Sequence, residues 1–271
     1  MVVLHLPAGN VSPTVPSLRA DRAVLRTLKH SIRSLEPGIE RHGTVPLGIP
    51  PIDDALGGGL ARAAFHEVAA TSESAIAAAT QFALALASRV HAPRAVLWVA
   101  EEMGRGESGA PYGPGLDDLG LAPERLVTVA AAKPRDVLWT MEEALRCRAV
   151  GAVIGEVRSV DSLDLLASRR LSLVAGHRDT CAFLLRTAPG TDASAAVTRW
   201  IIAGAPSRAS TAGPGPPRLS VHLTRNRRGP VGSWILEWHR VERRFDLASS
   251  FSQPVADAAC DRSHPAAALG A

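Results

Sequence analysis

The stretch Glu67 to Ala78, EVAATSESAIAA, lies between an apolar segment and an alanine-rich helix, where a nucleotide-binding chain carries its phosphate loop. A working loop reads G-x-x-x-x-G-K-[ST]. Its glycines let backbone N–H groups wrap the phosphates, its lysine reaches the terminal phosphates, and its hydroxyl holds Mg²⁺. At that spacing this sequence has Ala70, then four residues that include Ser74, then Ala75, Ile76 and Ala77. The frame is kept and its chemical groups are missing. Losing several charge-assisted contacts, each worth about 1.5–3 kcal/mol, leaves no useful affinity for ATP. A second suggestive stretch is the basic turn Arg225-Asn226-Arg227-Arg228-Gly229-Pro230, joined upstream by Arg169 and Arg170. Guanidinium groups suit phosphate contacts, and a solvated turn is the plainer meaning. Ser72 and Ser74 have no neighbouring base, and His222 reads as a structural or surface histidine. Nine scattered histidines form no HExxH or metal-like cluster, and no G-x-S-x-G occurs, so neither a metal nor a hydrolytic triad is expected.

The elements that would hold these residues follow from periodicity. Residues 1–17 carry three prolines and read as a flexible lead-in. Leu18, Leu25, Leu28, Ile32 and Leu35 then fall at helical spacing until Pro37-Gly38, with Arg19, Arg22, Arg26, Lys29 and Arg33 opposite. This amphipathic unit, 18–42, has nothing local to bury its stripe against, so Leu25, Leu28 and Ile32 are expected to dock on the core, a partner or a second copy. Residues 43–66 read as short extended pieces and turns, including Ile52–Leu56 and Gly57-Gly58-Gly59. Beyond the blank loop, expected helices over Ser74–Val90, Pro134–Arg148 and Ser162–Ala175 alternate with apolar strands at Ala95–Ala100, Leu126–Val129, Val150–Ile154 and Cys181–Leu185. That alternation predicts βαβ crossovers and a mainly parallel sheet flanked by helices, an α/β fold. Strands at Val197–Ile202, Leu219–Thr224 and Trp234–Trp238 end the core at about residue 248, the last two as a half-covered antiparallel hairpin. Residues 249–271, rich in Ala, Ser and Pro, read as a disordered tail.

Composition narrows the class. A chain of 271 residues, 46% hydrophobic and 21% charged, fits one substantial α/β domain with appendages. The net charge is only +4, and all basic residues but Lys29 and Lys133 are arginine, which a GC-rich genome also produces. Cys147, Cys181 and Cys260 are odd in number and widely spaced, which argues against a disulfide framework or a zinc site. With no signal-peptide pattern at Met1–Ser12 and no apolar run of spanning length, a cytoplasmic location is expected.

The order of parts resembles the RecA recombinase core. The matching pieces are the helix Leu18–Leu35, the Gly-rich turn Ile52–Leu60, and the strand Phe65-His66-Glu67-Val68 leading into the loop. They continue with Trp98-Val99-Ala100-Glu101, Tyr112…Leu116…Leu119-Gly120-Leu121, and Arg170-Leu171…Leu173…Ala175-Gly176 before Phe183-Leu184-Leu185-Arg186. Within that superfamily the chain looks like the ImuA branch, on the string Leu223-Thr224-Arg225-Asn226-Arg227-Arg228-Gly229 followed by Trp234 and Glu237-Trp238. The resemblance implies a RecA-like core and an accessory role in SOS-induced translesion synthesis and mutagenesis. The implied partners are an ImuB-like Y-family polymerase relative and an error-prone C-family polymerase, with RecA or a second copy as further candidates and only weak contact with DNA.

The same resemblance puts Glu101 at the position of RecA's water-activating glutamate. It puts Gly155, with Glu156 next, where the acid of the Walker B motif is expected. A general base without phosphate ligands has nothing to activate, so a pseudo-ATPase without bound cofactor is expected, with Glu101 vestigial. Both DNA-gripping loops look shortened, at Val160–Leu166 and Thr187–Asp192. In RecA the terminal hairpin turn faces a neighbouring subunit, so Arg225, Asn226, Arg227 and Arg228 would contact either a subunit or nucleic acid. Two other readings stay open: a divergent DNA-dependent NTPase using Glu101 and Glu156, and a cell-division inhibitor resembling the SulA group.

Overall fold

The computed structural model describes residues 42–90, 94–102, 106, 109, 111–158, 164–190, 192–207 and 215–249. The lead-in, the stripe of Leu25, Leu28 and Ile32, and the tail beyond Ser249 lie outside the described residues. Within them the strands are β1 (Thr44–Val45), β2 (Leu60–Ala61), β3 (Phe65–Ala70), β4 (Ala95–Glu101), β5 (Leu126–Ala131), β6 (Val150–Val157), β7 (Cys181–Arg186), β8 (Thr198–Ala205), β9 (Arg218–Asn226), β10 (Gly232–His239) and β11 (Arg244–Leu247). The helices are α1 (Pro50–Leu56), α2 (Ile76–Val90), α3 (Gly113–Asp118), α4 (Pro134–Leu145) and α5 (Leu165–Arg178).

Apart from the small pair β1-β2, the strands form one nine-stranded sheet in the order β11-β10-β9-β8-β3-β7-β6-β4-β5. From β5 to β8 the pairings are parallel, and from β8 to β11 antiparallel. The expected α/β architecture holds, and the terminal hairpin is extended by β11 into an antiparallel unit. Strand β3 is central and buried along its whole length, so its sequence, FHEVAA, is not the alternating pattern of a half-covered strand.

Helix α2 covers one face. Its Phe82 lies 5.4 Å from the Trp200 ring and 6.0 Å from Phe245, and Phe245 meets the edge of Trp238 at 4.6 Å. Helices α4 and α5 cover the other face with Val137, Met141, Leu145 and Leu171. Edge strand β5 carries no charged residue and exposes Val127.

One expectation fails. Residues 50–56 form helix α1, not an extended piece or turn. Pro50 and Pro51 sit in the first turn, where a missing N–H costs nothing. The Asp53 carboxylate accepts the N–H groups of Leu47 (2.7 Å), Gly48 (2.9 Å) and Ile49 (3.2 Å), fixing the entry. Gly57 closes the helix in the left-handed conformation at φ 71°.

Candidate functional site

The blank loop lies where the sequence places it, between the C-terminal end of β3 and the start of α2. Ala70 is buried, Ile76 is half-buried against the core, and Ala77 is exposed. A phosphate loop works by offering free N–H groups. Here several of them are engaged by the chain itself: Thr71 N–H donates to the Ile202 carbonyl (3.0 Å) and Ala75 N–H to the Ser72 carbonyl (3.0 Å). The Ile76 N–H donates to Glu73, closing a 3₁₀ turn over Glu73–Ala75. The hydroxyls of Ser72 and Ser74 bond each other at 2.9 Å.

The acids expected near this loop are tied together by Arg158, just after β6. Its guanidinium reaches Glu73 of the loop at 3.0 Å. Its backbone N–H donates to Glu101 Oε1 at 2.7 Å, and its carbonyl accepts the Thr187 hydroxyl at 3.2 Å. One residue thus connects the loop after β3 with the ends of β4, β6 and β7. Glu101 serves here as an acceptor for a neighbouring strand's backbone.

Along β6, Ala152 and Ile154 face α2, and by strand alternation Glu156 does too. Gly155 faces the other way, where an added Cβ would come within 2.1 Å of Met141 Sδ. No side chain fits at Gly155, so the acid of this strand end is Glu156. Burial is the largest influence on its carboxyl and raises its pKa; Arg158 and a hydrogen bond with Trp98 oppose the rise, and Glu101 adds to it.

The basic turn is built into the fold. Asn226 Nδ2 donates to the carbonyl of Ala55 in α1 (2.7 Å) and to that of Pro230 (2.9 Å). Its Oδ1 accepts the Arg228 N–H (2.9 Å), and the Arg228 side chain reaches the Gly57 carbonyl (3.3 Å). Gly229 packs so near Ala55 that a Cβ would meet its carbonyl oxygen at 2.2 Å. Arg225 donates to the Ser194 carbonyl at 2.7 Å. Desolvation is the largest cause lowering its pKa, followed by repulsion from Arg227 and Arg199, while Glu67 acts the other way. Arg227 is the exposed member of the four. Arg169 and Arg170 are exposed on α5.

With this geometry in hand, comparison with known proteins is informative. No protein-family model matches the chain. Protein ImuA of Caulobacter vibrioides, in each of two strains, is 34% identical over 209 residues, covering 70% of this chain and 81% of the relative. The chain belongs to the ImuA family. Among the described residues, no helix of this ImuA-family chain is long and apolar enough to cross a membrane. Nor does any group of His, Cys, Asp and Glu among them have the arrangement of a metal site.

Sequence reasoning missed the polar groups inside the sheet. Glu67, in the middle of β3 and 1% exposed, receives the Arg199 guanidinium at 2.7 Å and the Ser194 hydroxyl. Arg199 also donates to the carbonyls of Gly190 (3.1 Å) and Asp192 (2.9 Å), which anchors the segment between β7 and β8. His66, fully buried, bonds the Ala61 carbonyl through Nε2 (3.0 Å) and Thr198 Oγ1 through Nδ1 (2.8 Å). Burial pushes its pKa down to about 4, so the ring is neutral and donates from Nε2. Burial likewise pushes the Cys181 thiol up to about 12, an inert packing group. The available signal was the pair His66-Glu67 inside an otherwise apolar strand: a buried charge needs a partner.

Proposed function

We propose that this chain is a non-catalytic RecA-fold accessory protein of damage-induced mutagenesis, acting beside an ImuB-like Y-family polymerase relative and an error-prone C-family polymerase. Family membership supports the setting. The state of the β3–α2 loop is the observation that carries the non-catalytic part. Its N–H groups at Thr71, Ala75 and Ile76 are engaged internally. The Glu73 carboxylate is held by Arg158 between the loop and the end of β6, where a bound triphosphate needs cationic ligands. An anion entering there would meet a carboxylate, with the N–H groups of Thr71, Ala75 and Ile76 already engaged. On this reading neither ATP nor another nucleotide is a cofactor, and Glu101 has a structural task.

Two measurements test the proposal. In the source bacterium, deleting the gene should lower the frequency of ultraviolet-induced mutation to drug resistance, and a Glu101→Ala copy should restore it as fully as the wild type. An unchanged frequency in the deletion strain would remove the mutagenesis reading. For the catalytic question, a labelled ATP analogue should show no saturable binding. Saturable binding with an ATPase rate lost in Glu101→Ala would instead favour a divergent NTPase, for which the raised pKa of buried Glu156 beside Glu101 is the supporting feature.

A further inference from the structure

Three of the most exposed large apolar side chains lie on the outer surface of two adjacent helices: Trp139 of α4 (62% exposed), and Leu166 (66%) and Leu173 (63%) of α5. Surface tryptophans and leucines at such exposure are unusual when grouped, and grouped apolar exposure marks an interaction surface. The grouping follows from the fold. Both helices connect parallel strands on the same side of the sheet, so they run in the same direction. Glu142 of α4 bonds Arg170 of α5 and sets their relative height. Trp139 and Leu166 each lie about one turn before that pair, and Leu173 follows Leu166 by two turns, roughly 10 Å, on the same side of α5. Helix α5 turns Leu171 and Ala175 to the core while Leu166 and Leu173 face solvent. A surface helix apolar on both sides has a second surface to cover.

Within α5 itself the charge is one-sided, and the acids at its two ends are engaged: Asp164 accepts the Ala167 N–H at 2.6 Å, and Asp179 lies 3.3 Å from His42. Helix α5 contains Arg169, Arg170, His177 and Arg178 and no acidic residue. The acids of α4 are already paired: Asp136 with Arg135, Glu142 with Arg146 and Arg170, and Glu143 with Arg146.

We propose that the outer face of α4 and α5 docks an amphipathic helix of a partner protein, its apolar stripe laid over Trp139, Leu166 and Leu173 and its flanks carrying aspartate or glutamate. Charge selects the occupant. The chain's own amphipathic stretch, 18–35, carries Arg19, Arg22, Arg26, Lys29 and Arg33 against Asp21 alone, and would bring like charge to Arg169 and Arg178. An acidic helix meets complementary charge, with a rim that steers association and a central aromatic anchor.

The test uses the full chain and three labelled synthetic peptides followed by fluorescence anisotropy. The first is an amphipathic helix with a leucine stripe and glutamate flanks, the second the same helix with lysine flanks, and the third residues 18–35 of this chain. The glutamate peptide should bind saturably and weaken as salt is raised. Trp139→Ser and Leu173→Ser should each weaken it about tenfold, and Arg169→Glu should reduce its salt dependence. The three sites are exposed, so unchanged thermal melting will show that the variants fold. Equal binding of the lysine peptide, preferential binding of 18–35, or indifference to all three substitutions would overturn the proposal.

Discussion

His66 offers a quantitative check on the buried interior. The ring stacks on Phe183 at a centroid distance of 5.4 Å and accepts a hydrogen bond from the Thr198 hydroxyl. That hydroxyl oxygen in turn accepts the Trp200 indole N–H at 2.8 Å. Protonating Nδ1 would take away the acceptor of the Thr198 hydroxyl and bury a cation inside the core. The folded pKa of about 4 lies below the ordinary value of 6.5. The unfolded chain therefore takes up the proton first as pH falls. Stability from this group is fully present above pH 6.5 and is lost on the way down to pH 4. The linkage relation gives a loss of about 2 kcal/mol by pH 5 and about 3 kcal/mol below pH 4. Urea unfolding followed by tryptophan fluorescence between pH 7.5 and 5 measures it, with His66→Gln as the reference that cancels every other titrating group. Wild type should lose about 2 kcal/mol more than the variant over that range. Nitrogen-15 NMR should show the His66 ring still neutral, with its proton on Nε2, at pH 5. Parallel pH slopes for the two proteins, or a ring protonated at pH 6, would refute the argument.

Other substitutions probe separate parts of the structure. Glu67→Gln leaves the Arg199 charge buried without its carboxylate and should cost about 3–5 kcal/mol in urea unfolding. Gly155→Ala drives a methyl into Met141 and should destabilise by about 1–3 kcal/mol, with Met141→Ala partly relieving the clash when the two are combined. Asn226→Ala removes the donor to Ala55 and Pro230 and should lower stability by about 1–3 kcal/mol, with faster amide exchange in α1.

The parallel half of the fold was legible because its strands are short apolar runs separated by helical periodicity, and the expected strands Val150–Ile154 and Cys181–Leu185 lie inside the observed Val150–Val157 and Cys181–Arg186. Helix α1 was not. In a seven-residue segment opening with two prolines, local pattern is silent, and it is Asp53, reaching back to three N–H groups, that decides. Strand β11, with the sequence RFDL, has no alternation long enough to read and is fixed by pairing with β10. At the site, the missing lysine and hydroxyl were visible in Ile76 and Ala77. Their surroundings were not: Ile76 packs half-buried on the core, while Ala77 takes an exposed position in the first turn of α2. Arg158 and Arg199 were invisible because their partners, Glu73, Glu101 and Glu67, are distant in sequence. The basic turn read as a binding cluster because sequence shows charge and hides hydrogen-bond acceptors, and three of its four side chains are directed to backbone carbonyls or N–H groups of the chain itself.

The closed turn after β3 also bears on how such a protein could change over time. Two substitutions, Ile76→Lys and Ala77→Thr, would rewrite the loop toward the nucleotide-binding consensus. Neither would open the 3₁₀ turn or release Glu73 from Arg158, and the first would withdraw from the core a side chain that now packs on it. The step at Ile76 would lower stability before any ligand could compensate. On the proposed non-catalytic reading, no single substitution in this loop would lead to a nucleotide site.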